Sequence, residues 1–586
     1  GQNCVGQKTQ TAGIQEAMYY VYNTYGGGKV FIRSGQYYIN TNVMQMPPNV
    51  EVEGESEYTT EIIQQYNGVS YTFALSKNNK IKHLTLNANS IAQNSLIFGN
   101  GAKDFEIAYN RFINQGATWY IQLGCGGLSS SSPPSVFNER GEIHHNYFQN
   151  VSSGLENIII CATKHLDFHD NYLGYTGGPM NSPVLTVYSY NEDIKLRRNY
   201  QYTNAPINLW YIFDSKDVVI EDNTFEFYEP SISGYGNFVL ELGFAVKNVH
   251  IRRNKVFNSA GPALSVNADT FGYFIQLSWA CANSGAGNGP DRNYQWLSGC
   301  VDYVYVEDNH VDGGYGVMQI QNTSNYSATL WAIERNVMTW LRFFANWGIN
   351  AQTVLFRGNR EITYQKYGQI GGNGSPWLAL SGTNIIFTDN VITGNQPFFG
   401  SSSGPFNNVV LTANNALIAE NNLLGGSGYP SAGMPNWWYL NAKYASVRNN
   451  KDFFTGMRLF PYLVPPSGQY FNTAWANTPF ISFSTLTNTS ATAPASGTTY
   501  QNVTPFDTDV IVVVNMQPTS SAAATASASI GPSSSSLTQI EQIQAPAGST
   551  SGQYMILRFR VPAQWYFQVN LSNASIILTT VIVHSD

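Results

Sequence analysis

The sequence predicts an all-β protein whose longest part is a solenoid of stacked parallel strands, preceded by a capping helix and followed by a β-sandwich. Three patterns indicate this architecture. A short phrase recurs through most of the 586 residues, and a repeat period of about 20 to 50 residues is typical of solenoids. A helical period occurs near the amino end, and from Gly497 apolar and polar residues alternate as they do in half-buried strands.

Each copy of the phrase has an apolar residue, two mostly polar residues, an asparagine and usually another apolar residue two places on. Val219-Ile220-Glu221-Asp222-Asn223-Thr224-Phe225 is the clearest copy. Coils stacked about 4.8 Å apart would pair each strand with the next coil and bury the apolar positions. Asparagine tolerates a left-handed backbone and can bond along a ladder of its own kind, so we expect one at a sharp bend of each coil.

Most gaps between these marker asparagines are 21 to 31 residues, which predicts about 13 coils. Leucine-rich and helical repeats fit less well, because the units lack the necessary leucines and a 3.6-residue period. The markers are Asn89, Asn110, Asn146, Asn171, Asn199, Asn223, Asn254, Asn309, Asn336, Asn359, Asn390, Asn421 and Asn450.

The amino end is predicted to cover the first coil. Residues 9–25 read as an amphipathic helix, ended by three glycines at 26–28 and followed by strands at 30–32 and 37–39. A solenoid exposes its apolar core at an open end and needs a cover. The apolar positions on one helical face are Ile14, Ala17, Met18, Val21 and Tyr22.

These opening motifs carry a resemblance. Ile14-Gln15-Glu16-Ala17, the glycines, Val30-Phe31-Ile32 and Gly35-Gln36-Tyr37-Tyr38-Ile39 resemble the start of the pectate-lyase-like right-handed parallel β-helix superfamily. The later repeats look like those of the same superfamily, so the resemblance covers about residues 9–455. It implies a right-handed parallel β-helix of the viral tailspike or polysaccharide-degrading type, with affinity for glycans. The chain departs from the family pattern at residues 9–11, where acidic residues are common, and at Arg33, where proline is common.

The carboxy-terminal part is predicted to be a separate β-sandwich. We divide the chain into a cap with the first strands (1–60), the β-helix (61–460), a linker (461–496) and the sandwich (497–586). Within the sandwich, the stretches 497–504 and 560–566 resemble carboxy-terminal domains of viral tail fibres and tailspikes. That resemblance implies an extracellular or virion-surface spike and a homotrimer. The predicted strands are residues 510–514, 554–559 and 574–583, with a further strand in the Ser/Ala-rich segment 520–536.

Composition narrows the class of partners. Charged residues make up 11% of the chain and the net charge is −7. Without a run of Lys or Arg, a nucleic-acid partner is not expected, and no apolar run is long enough for membrane insertion. The chain opens on Gly1, which we interpret as a mature or trimmed product. Of five cysteines, Cys281 and Cys300 bracket one loop and could be bonded, and no Cys/His spacing suggests zinc.

The charged residues just before the asparagines look functional, but we interpret them as structural. Arg197-Arg198, Glu221-Asp222, Arg252-Arg253 and Glu307-Asp308 alternate in sign from coil to coil. Stacking therefore predicts a salt-bridge ladder on the outer wall, in which Glu221 and Asp222 pair with the neighbouring arginines. We interpret three nearby histidines as exposed members of the same columns rather than catalytic bases, namely His144, His145 and His169.

Function is predicted where the repeat is interrupted. Insertions at about 116–140 and 259–301 follow Asn110 and Asn254. Both begin after the same bend, so we expect them to leave the rod on one side and flank a groove. Aromatic rings stack on sugars, although these aromatics could instead seal a subunit interface. The predicted substrate-binding residues are Trp119, Tyr120, Trp210, Tyr235, Trp279 and Trp296.

Glycan cleavage would need two carboxylates about 5 to 10 Å apart. We predict Asp214, Glu241 and Asp269 as catalytic residues, with Glu156 and Glu229 as second choices. Residues 267–269 resemble the first acidic motif of polygalacturonases, but the later motifs of that family and a pectate-lyase calcium site are absent. A glycoside hydrolase is therefore favoured over a lyase, with no cofactor or metal. A non-catalytic adhesin or structural spike is the alternative, because fold alone does not settle function.

Overall fold

The structure is a computed structural model, and it describes most but not all of the chain. The described residues are 9–68, 71–90, 95–115, 119–125, 134–149, 157–175, 183–203, 209–227, 238–259, 273–278, 296–312, 316–320, 328–341, 349–363, 378–394, 409–426, 438–452, 462–463, 481–482, 496–502, 507–549, 552–562 and 565–583.

The described part of the chain has the predicted all-β composition, with one helix and many short strands. The helix is α1 (Ile14–Tyr25). The strands are β1 (Gly28–Ile32), β2 (Gly35–Ile39), β3 (Val43–Gln45), β4 (Val50–Gly54), β5 (Thr60–Gln64), β6 (Tyr71–Lys77), β7 (Lys80–Lys82), β8 (Thr85–Asn87), β9 (Ser95–Ala108), β10 (Arg111–Ile113), β11 (Ile121–Leu123), β12 (Asn138–His144), β13 (Tyr147–Gln149), β14 (Ile158–Ile160), β15 (Thr163–His169), β16 (Tyr172–Tyr175), β17 (Leu185–Val187), β18 (Asn191–Arg197), β19 (Tyr200–Thr203), β20 (Trp210–Phe213), β21 (Ser215–Glu221), β22 (Thr224–Phe227), β23 (Phe238–Gly243), β24 (Lys247–Arg252), β25 (Lys255–Asn258), β26 (Tyr273–Ser278), β27 (Asp302–Glu307), β28 (His310–Asp312), β29 (Gly316–Ile320), β30 (Ala328–Glu334), β31 (Val337–Leu341), β32 (Ile349–Arg357), β33 (Arg360–Thr363), β34 (Leu378–Thr388), β35 (Val391–Gly394), β36 (Val409–Glu420), β37 (Leu423–Gly426), β38 (Trp438–Arg448), β39 (Lys451–Asp452), β40 (Tyr462–Leu463), β41 (Ile481–Ser482), β42 (Thr499–Gln501), β43 (Thr508–Met516), β44 (Ala524–Gly531), β45 (Thr538–Ala545), β46 (Gln553–Val561), β47 (Tyr566–Ser572) and β48 (Ala574–Val583).

The chain divides into two compact units. The first consists of Gly1–Ala379, Ile392–Ser403 and Gly426–Tyr429, and it holds the capping helix and a right-handed parallel β-helix. The second consists of Leu380–Val391, Gly404–Gly425 and Pro430–Asp586, and it holds further parallel strands and the antiparallel carboxy-terminal sheets.

Each coil of the first unit supplies strands to three parallel stacks. The first stack runs through β3, β6, the start of β9, β11, β14, β17, β20, β23, β26 and β29. The second runs from β1 and β4 through β7, the end of β9, β12, β15, β18, β21, β24 and β27 to β30. The third begins with β2, β5, β8, β10 and β13 and follows the asparagine bend. Parallel pairing begins at Gly28, inside the segment assigned to the cap.

The asparagine ladder is present, and the coil count differs from the prediction. The solenoid has about nine turns rather than about 13. Asn89 is exposed and outside the ladder, and the buried ladder residue near Asn421 is its neighbour Asn422. The unbroken run of stacked asparagines is Asn110, Asn146, Asn171, Asn199, Asn223, Asn254, Asn309, Asn336 and Asn359.

Each ladder asparagine joins three coils. The Asn223 side-chain Nδ2 donates to the Leu196 carbonyl oxygen at 2.8 Å and to Asn254 Oδ1 at 3.0 Å. Its own Oδ1 accepts from the backbone N–H of Asn199 at 2.9 Å and from Asn199 Nδ2 at 3.0 Å. A carboxamide is the side chain that donates and accepts at one position, which explains its recurrence.

The expectation that these asparagines adopt the left-handed backbone is wrong. The nine stacked asparagines do not have positive φ, and in this run it is the preceding residue that is left-handed, with φ of 56° at Asp222 and 54° at Arg253. Of the predicted markers, Asn89 and Asn421 are left-handed, with φ of 54° and 58°. The sharp bend therefore lies one residue earlier than predicted. The conserved geometry of the bend leaves the asparagine side chain pointing into the ladder, where all nine members of the run are buried.

The capping helix is shorter than predicted. It spans Ile14–Tyr25 rather than residues 9–25, because residues 10–13 form a turn. Ile14 and Met18 are its buried residues, in keeping with a cover for the solenoid core. Gly26 ends the helix in a left-handed conformation (φ 74°), and its N–H donates to the Tyr22 carbonyl oxygen at 2.8 Å.

The carboxy-terminal region is a β-sandwich as predicted. The antiparallel sheets β42-β47-β44-β45 and β46-β43-β48 share one apolar core. Val512, Leu557 and Phe567 come from different strands of this core. In the segment predicted as a linker, β40 still pairs in parallel with β38, so coil-like pairing continues past Pro461.

No helix in the described segments is both long and apolar enough to cross a bilayer.

Candidate functional site

The outer face of the first stack carries a line of mostly uncharged side chains, which we call the track. Strands β11, β14, β17, β20, β23 and β26 each place buried aliphatic or aromatic residues on either side of one residue that faces away from the core. The register stacks these outward residues in the order Gln45, Ala74, Phe98, Gln122, Ile159, Thr186, Tyr211, Glu241 and Gln276. At about 4.8 Å per coil the track is roughly 40 Å long.

The solvent exposure of the side chains varies along the track. Gln45 is exposed, and Phe98 and Tyr211 are half-buried. Thr186, Glu241 and Gln276 are at most 3% exposed. Gln122 Oε1 and Thr186 Oγ1 are buried and have no hydrogen-bond partner in the described part of the chain. A buried polar atom without a partner costs about 1 to 3 kcal/mol, so these two oxygens are unsatisfied acceptors on the track within the described segments.

Asp214 lies at the corner between the first and second stacks, just after β20. Its backbone is left-handed, with φ of 41°. The carboxylate is buried, and its oxygens accept the backbone N–H groups of Trp296 at 2.6 Å and Leu297 at 2.7 Å. Burial raises its pKa to about 7, while these two N–H groups and the Ser189 hydroxyl act in the opposite direction.

The contacts of Asp214 anchor the end of the second insertion. Trp296 stacks on Tyr190 with ring centroids 6.0 Å apart, and the Lys216 ammonium lies 5.3 Å from the Trp296 ring centroid. The Lys247 ammonium donates to the Cys300 carbonyl oxygen at 2.5 Å. We call this set the corner clamp. It occupies both oxygens of Asp214 with bonds to the protein itself.

Glu241 is the acidic residue of the track. It lies in the middle of β23, opposite Tyr211 on one side and Gln276 on the other. Its neighbours Leu240 and Leu242 face the core, so its side chain points to the outer face. Glu241 therefore lies in line with the track, whereas Asp214 lies at its edge.

Two of the predicted substrate-binding aromatics are wrong, because they belong to the core. Trp210 is fully buried against Phe225, and its Nε1 donates to Gln201 at 3.3 Å. Tyr120 is also fully buried, and its hydroxyl donates to the Gln149 carbonyl oxygen at 2.6 Å. Burial raises the pKa of Tyr120.

The other predicted residues divide into two groups. Trp119 and Trp296 are half-buried at the surface. The remaining predicted residues lie outside the described segments, and their roles stay predictions. They are Tyr235, Trp279, Asp269, Glu156 and Glu229.

Both predicted insertions contain a strand of the first stack, namely β11 in the first and β26 in the second. The extra residues therefore flank these strands instead of leaving the rod in one piece. A disulfide joins Cys125 to Cys161 near the same corner, with their Cα atoms 5.1 Å apart. Cys300 is also disulfide-bonded, and its predicted partner Cys281 lies outside the described segments.

The predicted salt-bridge ladder is confirmed on the outer wall. Arg253 donates to both carboxylate oxygens of Asp222, at 2.8 and 3.0 Å. Arg252 pairs with Glu221 at 2.7 Å. Arg197 and Arg198 pair with the preceding coil, not with Glu221 and Asp222, because each arginine reaches toward the amino end. The residues just before the ladder asparagines all have a left-handed backbone, and their charged members form a column that we call the ion-pair wall. It consists of Asp170, Arg198, Asp222, Arg253, Asp308 and Arg335.

One group of side chains in the described segments could in principle ligate a metal. The nearest ligand atoms of His145, His169 and Asp170 lie within 4.8 Å of one another. His169 Nδ1 is 2.6 Å from Asp170 Oδ2, and Arg198 donates to both Asp170 oxygens. A cation would therefore compete with a guanidinium already in place. His144, interpreted as exposed, is instead 9% exposed and 3.2 Å from Glu106.

Sequence reasoning missed the track although a signal for it exists. A polar residue flanked by two aliphatic ones recurs at 121–123, 185–187, 240–242 and 275–277. In a short strand this pattern places one side chain outside and two inside. This three-residue pattern is hard to recognise as a repeat, because the asparagine motif in the next part of each coil is much more regular.

Comparison with known proteins adds similarity of fold. No protein-family model and no curated protein matches the sequence. The chain has the parallel β-helix fold. A double mutant of the tailspike protein of E. coli bacteriophage HK620 shares 12% identity, over 95% of this chain and 89% of that chain, with a TM-score of 0.46.

A GH87 alpha-1,3-glucanase catalytic unit from Streptomyces thermodiastaticus shares 12% identity, over 77% of this chain and 67% of that one, with a TM-score of 0.33. PfbA, a surface adhesin of Streptococcus pneumoniae, shares 12% identity, over 59% of this chain and 86% of that one, with a TM-score of 0.34. These similarities are too low to transfer a function.

Proposed function

We propose that this protein binds a polysaccharide along the track. The observation that carries the proposal is the line of outward side chains on the first stack, uncharged except for Glu241. Its regular spacing suits a linear polymer of repeating units. Two oxygens on this line, Gln122 Oε1 and Thr186 Oγ1, have no hydrogen-bond partner in the described segments, and they are acceptors of the type to which sugar hydroxyls donate. The half-buried ring of Tyr211 offers an apolar face among them.

We also propose that the bound chain is cleaved by hydrolysis, with Glu241 as a catalytic carboxylate. Hydrolysis of a glycosidic bond requires a proton donor and a second carboxylate that activates water or attacks the sugar. Glu241 lies on the track itself. We assign Asp214 to the corner clamp as a positioning residue, because both of its oxygens already accept backbone N–H groups. Asp269 stays the proposed second carboxylate.

A non-catalytic adhesin is the second candidate. The engagement of Asp214 by the protein favours it, since this removes one of the three carboxylates proposed for the chemistry. The two candidates share the track and differ only in whether the bound chain is cut.

Glycan binding and reducing-end release test both candidates on the full-length protein. A panel of bacterial surface polysaccharides is screened for binding, and bound polymers are assayed for new reducing ends. We expect Tyr211→Ala to weaken binding by about tenfold, as expected for loss of an aromatic contact. Glu241→Gln should keep binding and lower cleavage by about 100-fold or more, which is typical for loss of an acid or base.

Arg253→Ala on the ion-pair wall is the control. Arg253 follows β24, a strand of the second stack, and is not part of the track. It should change neither binding nor cleavage. Binding without reducing-end release would support the adhesin, and absence of binding to any polysaccharide would contradict the proposed function.

We further propose an extracellular or virion-surface location and a homotrimer. The low charged fraction of 11% and the resemblance of residues 497–504 and 560–566 to viral tail-fibre domains support this proposal. Light scattering of the purified chain checks the assembly, since a trimer has three times the mass of the 64.8 kDa chain. A monomeric mass at all concentrations would contradict it.

A further inference from the structure

A pocket opens at the amino-terminal end of the track. Its volume is about 370 Å³, within the size range of small-molecule sites. The wall is formed by β3, β6 and the start of β9, so it belongs to the first coils of the first stack. Gln45, Ala74 and Phe98 line the pocket and are also the first three residues of the track.

The lining combines aromatic rings with side-chain amides. Tyr71 and Phe98 stack with ring centroids 4.1 Å apart and planes 19° apart, and both are half-buried. Asn42, Gln45 and Asn100 form the polar part, and all three are exposed. The other lining residues are aliphatic, and none of the lining residues is charged.

The polar groups are available to a ligand. Within the described part of the chain, the side-chain amides of Asn42, Gln45 and Asn100 make no hydrogen bond, although the Asn42 and Gln45 carbonyl oxygens are used by the backbone of Tyr71 and the side chain of Gln15. Each amide offers donors and an acceptor. A sugar ring presents hydroxyls at its rim and an apolar face, which matches amides beside an aromatic surface.

We propose that this pocket binds one neutral pyranose unit, a hexose or an N-acetylhexosamine, and that it selects against uronates. The absence of a cation in the lining gives a carboxylate no ionic partner, so the amide donors alone would have to offset the loss of water around its charge. Amides satisfy hydroxyl and acetamido groups without a net charge. The inference rests on the proposed function, because the pocket continues the track and would hold one unit of the same polymer.

Binding of defined oligosaccharides to the full-length protein tests the inference. The probes are neutral hexose, N-acetylhexosamine and uronate oligosaccharides of matched length, first on a microarray and then by calorimetry. We expect the tightest binding from a neutral probe, at least about tenfold above a uronate probe of the same length. Tyr71→Ala should lower the affinity for that probe about tenfold, and Asn100→Ala should lower it about threefold to tenfold.

Introduction of a positive charge into the pocket is a second test, and it does not depend on the removal of contacts. Asn100 is exposed, so Asn100→Lys is expected to fold normally. It should raise the affinity for the uronate probe by several-fold, because it supplies the missing cation. Tyr20→Ala and Asn40→Ala, at exposed positions outside the pocket lining, are the matched controls and should leave all affinities unchanged.

The outcomes separate this inference from the proposed function. Equal or tighter binding of uronates by the unmodified protein, or unchanged affinity in Tyr71→Ala and Asn100→Ala, would overturn the pocket assignment. If Tyr211→Ala still weakened binding in that case, the proposed function would stand. Failure of every probe and polysaccharide to bind would overturn both.

Discussion

The ion-pair wall and the track stack side chains at the same spacing in one solenoid, yet they handle polar groups in opposite ways. On the wall each arginine finds a carboxylate on the preceding coil, as Arg253 does with Asp222 and Arg335 with Asp308. On the track, Gln122 and Thr186 keep buried oxygens without a partner in the described segments. The wall therefore pairs its polar groups within the protein, whereas the track leaves these two oxygens unpaired within the described segments.

This difference teaches that charge alone is a poor guide to function in a solenoid. The wall holds the more conspicuous residues, but a parallel stack automatically brings residues of opposite sign together when they alternate from coil to coil. The functional surface is expected where polar groups are not paired by the stack. Four substitutions, taken from the largest expected effect to the smallest, test the distinction between paired and unpaired positions.

The ladder asparagine Asn223 is a fully paired, buried position, so its loss should be the most damaging. Asn223→Ala leaves the Asn199 N–H, the Leu196 carbonyl and Asn254 Oδ1 each short of one bond. We expect destabilisation of about 4 kcal/mol or more, since each buried unpaired group costs about 1 to 3 kcal/mol. Urea unfolding followed by far-ultraviolet circular dichroism measures it. The exposed Asn40→Ala is the control, and an equally small change in both variants would contradict the role of the ladder.

Glu361 is an unpaired position inside the core. It is fully buried in β33, stacked on Met338, and neither carboxylate oxygen has a partner in the described segments. Burial raises its pKa from 4.5 to about 8. Because the folded pKa lies above the unfolded value, the ionisation of Glu361 adds no penalty below about pH 4.5, and the penalty grows as the pH rises to about 8.

Glu361→Gln should therefore stabilise the protein at pH 9 relative to the parent, by up to about 4 kcal/mol. At pH 4 the two proteins should be similar. Thermal unfolding at both pH values measures the difference, and Glu142→Gln, an exposed acid, is the control. A difference that does not change with pH would show that Glu361 has a partner.

Asp214 tests whether the corner clamp is structural. Asp214→Ala removes the acceptors of the Trp296 and Leu297 N–H groups. We expect amide exchange at these two residues to accelerate about 30-fold, equivalent to about 2 kcal/mol. Hydrogen exchange read by mass spectrometry measures it. Asp217→Ala, which removes an outer contact with Asn248, should leave that peptide unchanged. Protection that persists in Asp214→Ala would remove Asp214 from the clamp.

Arg253→Ala tests the wall and should have the smallest effect. Arg253 is exposed and its pair with Asp222 is at the surface, where ion pairs contribute at most about 1 kcal/mol. We expect a loss within that limit, which shrinks further at 1 M salt because of screening. Urea unfolding at low and high salt measures both. A loss as large as that of Asn223→Ala would mean that the wall, not the ladder, holds the coils together.

Much of the fold could be predicted because the repeat reports local physics. The spacing of the asparagines indicated stacked coils, and alternation after residue 497 indicated the sandwich strands β43, β46 and β48. The errors in assigning asparagines to the ladder arose at the bend between strands, where the exact position of the asparagine matters. Asn89 matches the repeated motif but lies outside the ladder. The period alone cannot tell Asn421 from its neighbour Asn422, and the hydrogen bonds show that Asn422 is the ladder residue.

The site was predicted less well, because sequence distance says little about which face of a coil a residue occupies. Trp210 and Tyr211 are adjacent, yet the first lies in the core and the second on the track. Tyr120 is near an insertion and is nevertheless buried beneath it. The sequence predicts both Asp214 and Glu241 as catalytic carboxylates. Only the structure shows that Asp214 lies in the corner clamp and Glu241 on the track.

The sequence by itself determined the all-β solenoid, its cap, its terminal sandwich and the alternating charges of the wall, because each follows from a period that one coil repeats. The tertiary structure decided which residues meet. The register between coils set the order of the track, opened the pocket at Tyr71 and Phe98, and brought Trp296 to Asp214 across 82 residues of chain. Such contacts depend on stacking and loop closure, and no local pattern encodes them.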